Sequence, residues 1–269
     1  MKVGCKLGLL NSNIVAYADD LVLLALSAKS LQLLIDVASS TAKELGLVFN
    51  KTKTKCMIFR PPSVRYTPVC PFVIDDQSIE FVNSFRYLGF IIQNNMSNSE
   101  DIIATRNKFY REFNCLLRKF HFVDKEVFLY LFNAYCLQFY GGVMWIKCSG
   151  SKGVLKDFAI GYHKAIKKIL HLSYHESNHY ACQEASLYTF KHHVNKIKIT
   201  AGLGIIQRPC SFIKKLNSYI QISSVLFREI YSILQNIYGI DSLLENDIDA
   251  IISRISFVQN HEEQLRVQW

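Results

Sequence analysis

Two adjacent carboxylates, Asp19 and Asp20, are the residues whose type and placement could do chemistry. They stand between two short apolar runs, Ile14-Val15-Ala16-Tyr17 and Leu21-Val22-Leu23-Leu24-Ala25. A hard cation such as Mg²⁺ takes carboxylate oxygens, water and phosphate oxygens in an octahedron, so a carboxylate pair at a turn can hold one against a phosphorylated substrate. Asp is equally a residue that turns favour, because its side chain caps nearby backbone. The pair alone leaves both readings open. His171, His175, His179 and Cys182 recur at helical spacing and could gather imidazoles for a metal. Ser173, Ser177 and Asn178 break that segment as a helix, so surface or partly buried histidines are the preferred reading.

The elements around the pair follow from local pattern. Runs of four or so Val, Ile and aromatic residues read as strands, and Ala18-Asp19-Asp20 as a tight reversal, giving a β-hairpin with both carboxylates at its tip. Ser27 caps a helix whose apolar residues Leu31, Leu34, Ile35, Ala38, Ala42 and Leu45 keep the helical period, and Gly46 ends it. Leu47-Val48-Phe49-Asn50 then leads through Lys51-Thr52-Lys53-Thr54-Lys55 into a strand, Cys56-Met57-Ile58-Phe59, stopped by Pro61-Pro62 because proline cannot donate to a ladder. Phe72-Val73-Ile74 and Ser78-Ile79-Glu80-Phe81-Val82 flank Asp75-Asp76-Gln77, a second hairpin whose Asp pair is read as turn chemistry alone. Phe85-Arg86-Tyr87-Leu88-Gly89-Phe90-Ile91-Ile92 reads as a strand with Gly89 where a backbone or ligand could approach closely.

The order of these features says more than any one of them. Tyr17-Ala18-Asp19-Asp20, a helix ending at Leu45-Gly46-Leu47, the run Asn50 to Phe59, and Phe85-Arg86-Tyr87-Leu88-Gly89 together resemble the reverse transcriptases of non-LTR (LINE-like) retrotransposons. The resemblance is best from about Asn13 to Ile92 and continues more loosely to about Val194. It implies an RNA-directed DNA polymerase, with an RNA template, a DNA primer and deoxynucleotides as partners and Mg²⁺ as cofactor. It also implies residue roles: Asp19 as metal ligand, Asp20 as auxiliary carboxylate, and Tyr17 near the primer end or incoming nucleotide. Lys53 matches a turn lysine that protonates the departing pyrophosphate, with Lys51 and Lys55 blurring the register and an ordinary exposed lysine the competing reading. Tyr87, Leu88 and Gly89 would hold the primer.

Two-metal nucleotide addition needs carboxylates that clamp ions about 3.5 to 4 Å apart. On a regular strand Asp19 and Asp20 face opposite sides, so a further carboxylate must come from another strand. In the family it lies upstream, yet none of the eighteen residues before Asp19 is acidic. The expectation is therefore a fragment lacking the N-terminal palm and fingers, inactive when isolated. The alternative is a non-catalytic, nucleic-acid-binding remnant of such an element.

Beyond Ser97 the pattern turns helical. Phe109, Phe113, Leu116 and Phe120 share one face, while Lys108, Arg111, Arg118 and Lys119 fall within an arc of roughly 100° on the other side. That basic stripe suits a phosphate backbone, and a plain solvated face explains it equally well. Asp124 can cap a helix carrying Val127, Phe128, Leu131, Phe132, Tyr135, Cys136 and Phe139 and ended by Gly141-Gly142. A third helix carries Leu155, Phe158, Tyr162, Ala165, Ile166, Ile169 and Leu170, with Lys164, Lys167 and Lys168 turned to solvent. A loop around Gly202, Gly204 and Pro209 precedes further helices over 211–239 and 247–269.

Bulk properties agree with this reading. The chain has 269 residues, half of them hydrophobic, and a formal net charge of +9 that favours an anionic partner. No apolar run approaches a membrane span, and the N-terminus lacks a signal-peptide pattern, so an intracellular protein of cytoplasm or nucleus is expected, without a membrane partner. Eight cysteines without a Cys-x-x-Cys pair indicate reduced thiols. The expected fold class is α+β: a truncated polymerase palm of antiparallel hairpins with one packed helix over 1–96, an all-α thumb-like region over 97–200, and a helical extension over 201–269.

Overall fold

The computed structural model describes residues 5–7, 10–59, 70–145 and 152–206, together with Glu229, Ser232, Ile233 and Gln235. Pro61, Pro62, Pro209 and the helices expected over 211–239 and 247–269 lie outside the described residues. The fold is α+β. It separates into two units, one of Met1–Arg86 with Ile92–Met96, the other of Tyr87–Ile91 with Ser97–Trp269.

In the first unit short strands pair two by two. Strand β1 (Lys6–Leu7) pairs antiparallel with β2 (Leu10–Asn11), and β3 (Ile14–Tyr17) with β4 (Asp20–Leu23). Helix α1 (Ala28–Glu44) follows. Ser27 sits in extended conformation before it, its hydroxyl accepting from the Ser30 amide at 3.2 Å. That bond satisfies one of the donors every helix start leaves unpaired. At the other end the amides of Gly46 and Leu47 donate to Lys43 and Ala42 at 3.0 and 2.8 Å, the paired bonds of a Schellman cap. Strands β5 (Lys55–Cys56), β6 (Val73–Ile74), β7 (Gln77–Ser78) and β8 (Glu80–Phe81) complete this part.

The expected strand over 78–82 proves to be two. Residues 77–78 pair antiparallel with β6, whereas 80–81 pair parallel with β5, in the register Lys55 to Glu80 and Cys56 to Phe81. Ile79 between them is buried, its amide donating to Phe72 at 2.7 Å. A small core of Ile35, Cys56, Phe72, Ile74 and Ile79 holds α1 to these strands, with Leu23, Leu31 and Phe49 at its edge. Burial pushes the Cys56 thiol up to about 11. The side-chain amide of Gln32 acts like a strand neighbour, giving a hydrogen bond to the Val73 carbonyl at 2.8 Å and taking one from its amide at 3.0 Å.

The segment read as one strand across Gly89 is a hairpin, β9 (Ser84–Tyr87) and β10 (Phe90–Gln93), with Leu88-Gly89 as its loop. Both loop residues have positive φ, +46° and +88°, the sign pattern of a type I′ turn. The tip of this hairpin belongs to the second unit.

That unit is built of α2 (Ser99–Lys119), α3 (Lys125–Cys136), a 3-10 helix (Tyr140–Met144), α4 (Lys152–Ile169), α5 (Asn178–Glu184) and α6 (Phe190–Ile206). The expected apolar faces meet in one core in which Ile102, Phe132, Phe158, Tyr162 and Ile166 are wholly buried. Four expectations need correction. Helix α3 stops at Cys136, because Gly141 and Gly142 fall in the 3-10 helix that follows. Asp124 stands at the N-cap but its side chain makes no capping bond. Lys167 is buried rather than solvated, its ammonium donating to the Tyr174 carbonyl at 3.0 Å. Gly202 and Gly204 lie inside α6; about 1 kcal/mol per glycine of lost helix propensity is overridden there.

Among the described residues no helix is long and apolar enough to cross a membrane. No group of three or more His, Cys, Asp or Glu among them is arranged to hold a metal. His171 and His175 lie in turns ahead of α5, and Cys182 is buried in the helical core.

Candidate functional site

The tip of the β3–β4 hairpin is tighter than three residues. Tyr17 pairs directly with Asp20, so Ala18 and Asp19 alone make the loop and Asp20 begins β4. Ala18 has φ +50° and Asp19 does not share its sign, the pattern of a type II′ turn, which ordinarily takes glycine at its first position. An alanine there is strained, and strain of this kind persists where surrounding structure holds it.

Both carboxylates are exposed, and neither makes a hydrogen bond or ion pair among the described residues. Tyr17 beside them is 65% exposed. The second Asp pair supplies the contrast. Asp75 and Asp76, at φ +47° and +61°, form the loop between β6 and β7, confirming the turn reading for them. Asp75 accepts from the Ser39 hydroxyl at 2.7 Å and pairs with Lys43 at 2.6 Å and Lys51 at 3.9 Å. The Lys43 and Ser39 hydrogen bonds hold its carboxyl below its ordinary value. Asp75 is thus neutralised by its own fold, whereas Asp76 is exposed and, like Asp19 and Asp20, makes no side-chain hydrogen bond or ion pair among the described residues.

The basic turn sorts in the same way. Lys51 is committed to Asp75, donating to its carbonyl at 3.1 Å, and Lys55 pairs with Glu80. Lys53 is exposed, and its side chain makes no hydrogen bond or ion pair among the described residues. The turn itself is set by Asn50, whose side chain accepts from the Lys53 amide at 3.1 Å. The structure brings Asp19, Asp20 and Tyr17 to one hairpin tip. Lys53 stands on a separate turn of the same unit, with no bond to either carboxylate.

Tyr87, Leu88 and Gly89 form the tip of the β9–β10 hairpin. The Tyr87 hydroxyl is shielded from solvent and has no hydrogen-bond partner among the described residues, a costly state for a polar group. Behind the turn lies a residue with no role legible from its local pattern. Asp101, in the first turn of α2, is buried; one carboxylate oxygen accepts from the Ile91 amide at 3.0 Å and the other from the Trp145 indole at 2.8 Å. In the sequence it reads only as an acid favoured at a helix start; its distant partners carry no local signal.

On α2, Phe109, Phe113 and Leu116 are buried while Lys108, Arg111, Arg118 and Lys119 are all exposed. Among the described residues Arg111 reaches only its neighbour Glu112, at 3.3 Å. Four cations on one solvent face can neutralise phosphates along a strand without reading its sequence.

Residues 3–92 match the family model described as reverse transcriptase (RNA-dependent DNA polymerase). The matched span contains both candidate hairpin tips and the lysine turn. No curated protein and no solved structure matches the chain.

Proposed function

We propose that this chain is a portion of an RNA-directed DNA polymerase from a non-LTR retrotransposon, comprising palm elements and a thumb-like helical region. The observation that carries the reading is the open Asp19–Asp20 pair on a strained hairpin tip, inside the span that matches the reverse transcriptase family. The donor set suits Mg²⁺, since exposed and unpaired carboxylate oxygens are what a hard cation takes. When bound, the metal supplies Lewis-acid stabilisation of the primer hydroxyl and of the leaving pyrophosphate.

The residues of the chain divide the remaining work. Asp19 and Asp20 present anionic oxygens at an accessible edge, with Tyr17 beside them to contact the primer end or the nucleotide. Lys53, whose side chain makes no hydrogen bond or ion pair among the described residues, is placed to give a proton to departing pyrophosphate. Tyr87, Leu88 and Gly89 hold the primer strand, and the α2 cations follow its phosphates. A two-ion clamp needs a third carboxylate, and none joins Asp19 and Asp20 among the described residues. We assign that group to a palm and fingers segment that acts together with this chain.

The chain alone is therefore expected to give no Mg²⁺-dependent primer extension on an RNA template. Robust extension that disappears in Asp19→Ala would overturn the need for an added carboxylate. A second reading, a nucleic-acid-binding remnant without catalysis, draws on the exposed basic face of α2, which needs neither aspartate. The two part on metal binding: a remnant has no reason to keep cation affinity at Asp19 and Asp20.

A further inference from the structure

The Asp101 carboxylate joins two elements that sequence separates. Through Ile91 it fixes the strand leaving the Leu88-Gly89 turn, and through Trp145 it fixes the end of the 3-10 helix, whose first residue is Tyr140. The fit is close. A Cβ on Gly141 would fall 2.0 Å from Asp101 Oδ2, so only glycine lets the 3-10 helix approach. Between the anchored elements, the Tyr140 ring packs on Phe90 with centroids 4.6 Å apart and an interplanar angle of 30°. A Cβ on Gly89 would lie 3.3 Å from the same ring. Tyr140 is nonetheless 66% exposed. Its ring is backed by the turn and open to solvent.

An aromatic held still beside a turn, with a free face, offers base stacking at little cost in side-chain freedom. The chemistry of its surroundings favours a nucleic-acid strand over a protein. The chain carries +9, and the helix whose first turn bears Asp101 presents the exposed cations Lys108, Arg111, Arg118 and Lys119. At the helical rise of 1.5 Å per residue these begin roughly 10 Å beyond Asp101.

We propose that Tyr140 is a nucleic-acid contact that extends the Tyr87-Leu88-Gly89 turn by stacking on a base of the strand held there, and that Asp101 is the positioning residue that sets turn and tyrosine against each other. This rests on the reading that the turn holds a nucleic-acid strand. Tyr140 supplies the ring face; its hydroxyl is dispensable. Asp101 acts through Tyr140 and touches no nucleotide.

The test uses the full chain and a fluorescent DNA primer annealed to an RNA template, with affinity measured by anisotropy at several salt concentrations. Tyr140→Ala should weaken binding about tenfold at every salt concentration, leaving the salt slope unchanged, because stacking releases no counterions. Tyr140→Phe should bind like the parent. Asp101→Asn, which keeps the shape but loses one of two acceptors, should weaken binding in the parent and have little further effect in Tyr140→Ala. Additive losses would show Asp101 to be merely structural and overturn its role. If the parent binds with a salt-dependent affinity but Tyr140→Ala matches it, the tyrosine proposal is overturned and the exposed ring belongs to a protein contact. If the parent fails to bind at low salt, the nucleic-acid reading beneath it falls as well.

Discussion

Asp75 and Asp19 carry the same side chain at hairpin loops of the same unit, and their surroundings give them opposite consequences. Asp75 is held below its ordinary value by Lys43 and then Ser39. Its ionised form is bound more tightly in the folded state, so its stabilisation is full above the ordinary carboxylate range and is lost as pH falls through the lowered value. Asp75→Asn should lower the thermal midpoint at pH 7 and flatten its decline on acidification, followed by circular dichroism. Asp19→Asn should leave both unchanged, since that carboxylate makes no hydrogen bond or ion pair among the described residues. Asp101 lies at the other extreme. Asp101→Ala leaves the Trp145 indole and the Ile91 amide without acceptors, and at about 1–3 kcal/mol for each buried unmet donor should cost roughly 2–6 kcal/mol in denaturant unfolding.

At the scale of elements, what was legible in the sequence was what repeats locally. Ser27 and Gly46 bracket α1 because cap chemistry needs only neighbours, and the face of Phe109, Phe113 and Leu116 follows from the helical period. Leu88 was not legible as a turn residue, because nothing in its own propensity favours φ +46°; that is imposed by the hairpin and by the packing of Gly89 against Tyr140. Lys167 was misread because the carbonyl that holds it, from Tyr174, sits beyond the end of its own helix. The parallel pairing of β5 with β8 joins residues 25 positions apart and leaves no local trace. For the candidate site, the Asp19–Asp20 hairpin was visible as a pattern, whereas the buried carboxylate behind the Leu88-Gly89 turn was not.

Helices α4 and α6 carry a pH dependence of their own. His163 on α4 accepts from the Phe190 amide at 3.3 Å, and burial pulls its imidazole down to about 4. His193 is lowered by burial as well. Both gain protons more readily when unfolded; the His163 contribution holds above about pH 6.5 and is lost as pH falls toward 4, and that of His193 is lost in the same direction. The thermal midpoint should drop between pH 7 and pH 5, and less steeply in His163→Gln.

For the whole molecule, charge and exposure set the expectations. The β3–β4 hairpin leaves Ile14 and Val15 about half exposed, at 54% and 46%, on a two-stranded ladder. Two strands alone are marginal in water, so amides of β3 and β4 should exchange hydrogen faster than those of α2. Neutralising Lys108, Arg111, Arg118 and Lys119 together should cut low-salt nucleic-acid affinity and flatten its salt dependence. Unchanged affinity would show that the basic face takes no part in binding.

On the proposed function, Asp19 and Asp20 hold a metal ion while Asp75 and Asp76 form only a turn. Paramagnetic broadening by Mn²⁺, used in place of Mg²⁺ and read by NMR on the full chain, compares the two hairpins in one sample. Broadening is expected to centre on residues 17–21 and to be abolished in the Asp19→Asn, Asp20→Asn double variant, with residues 74–77 unaffected. Equal broadening at both hairpins, or none at the first, would contradict it.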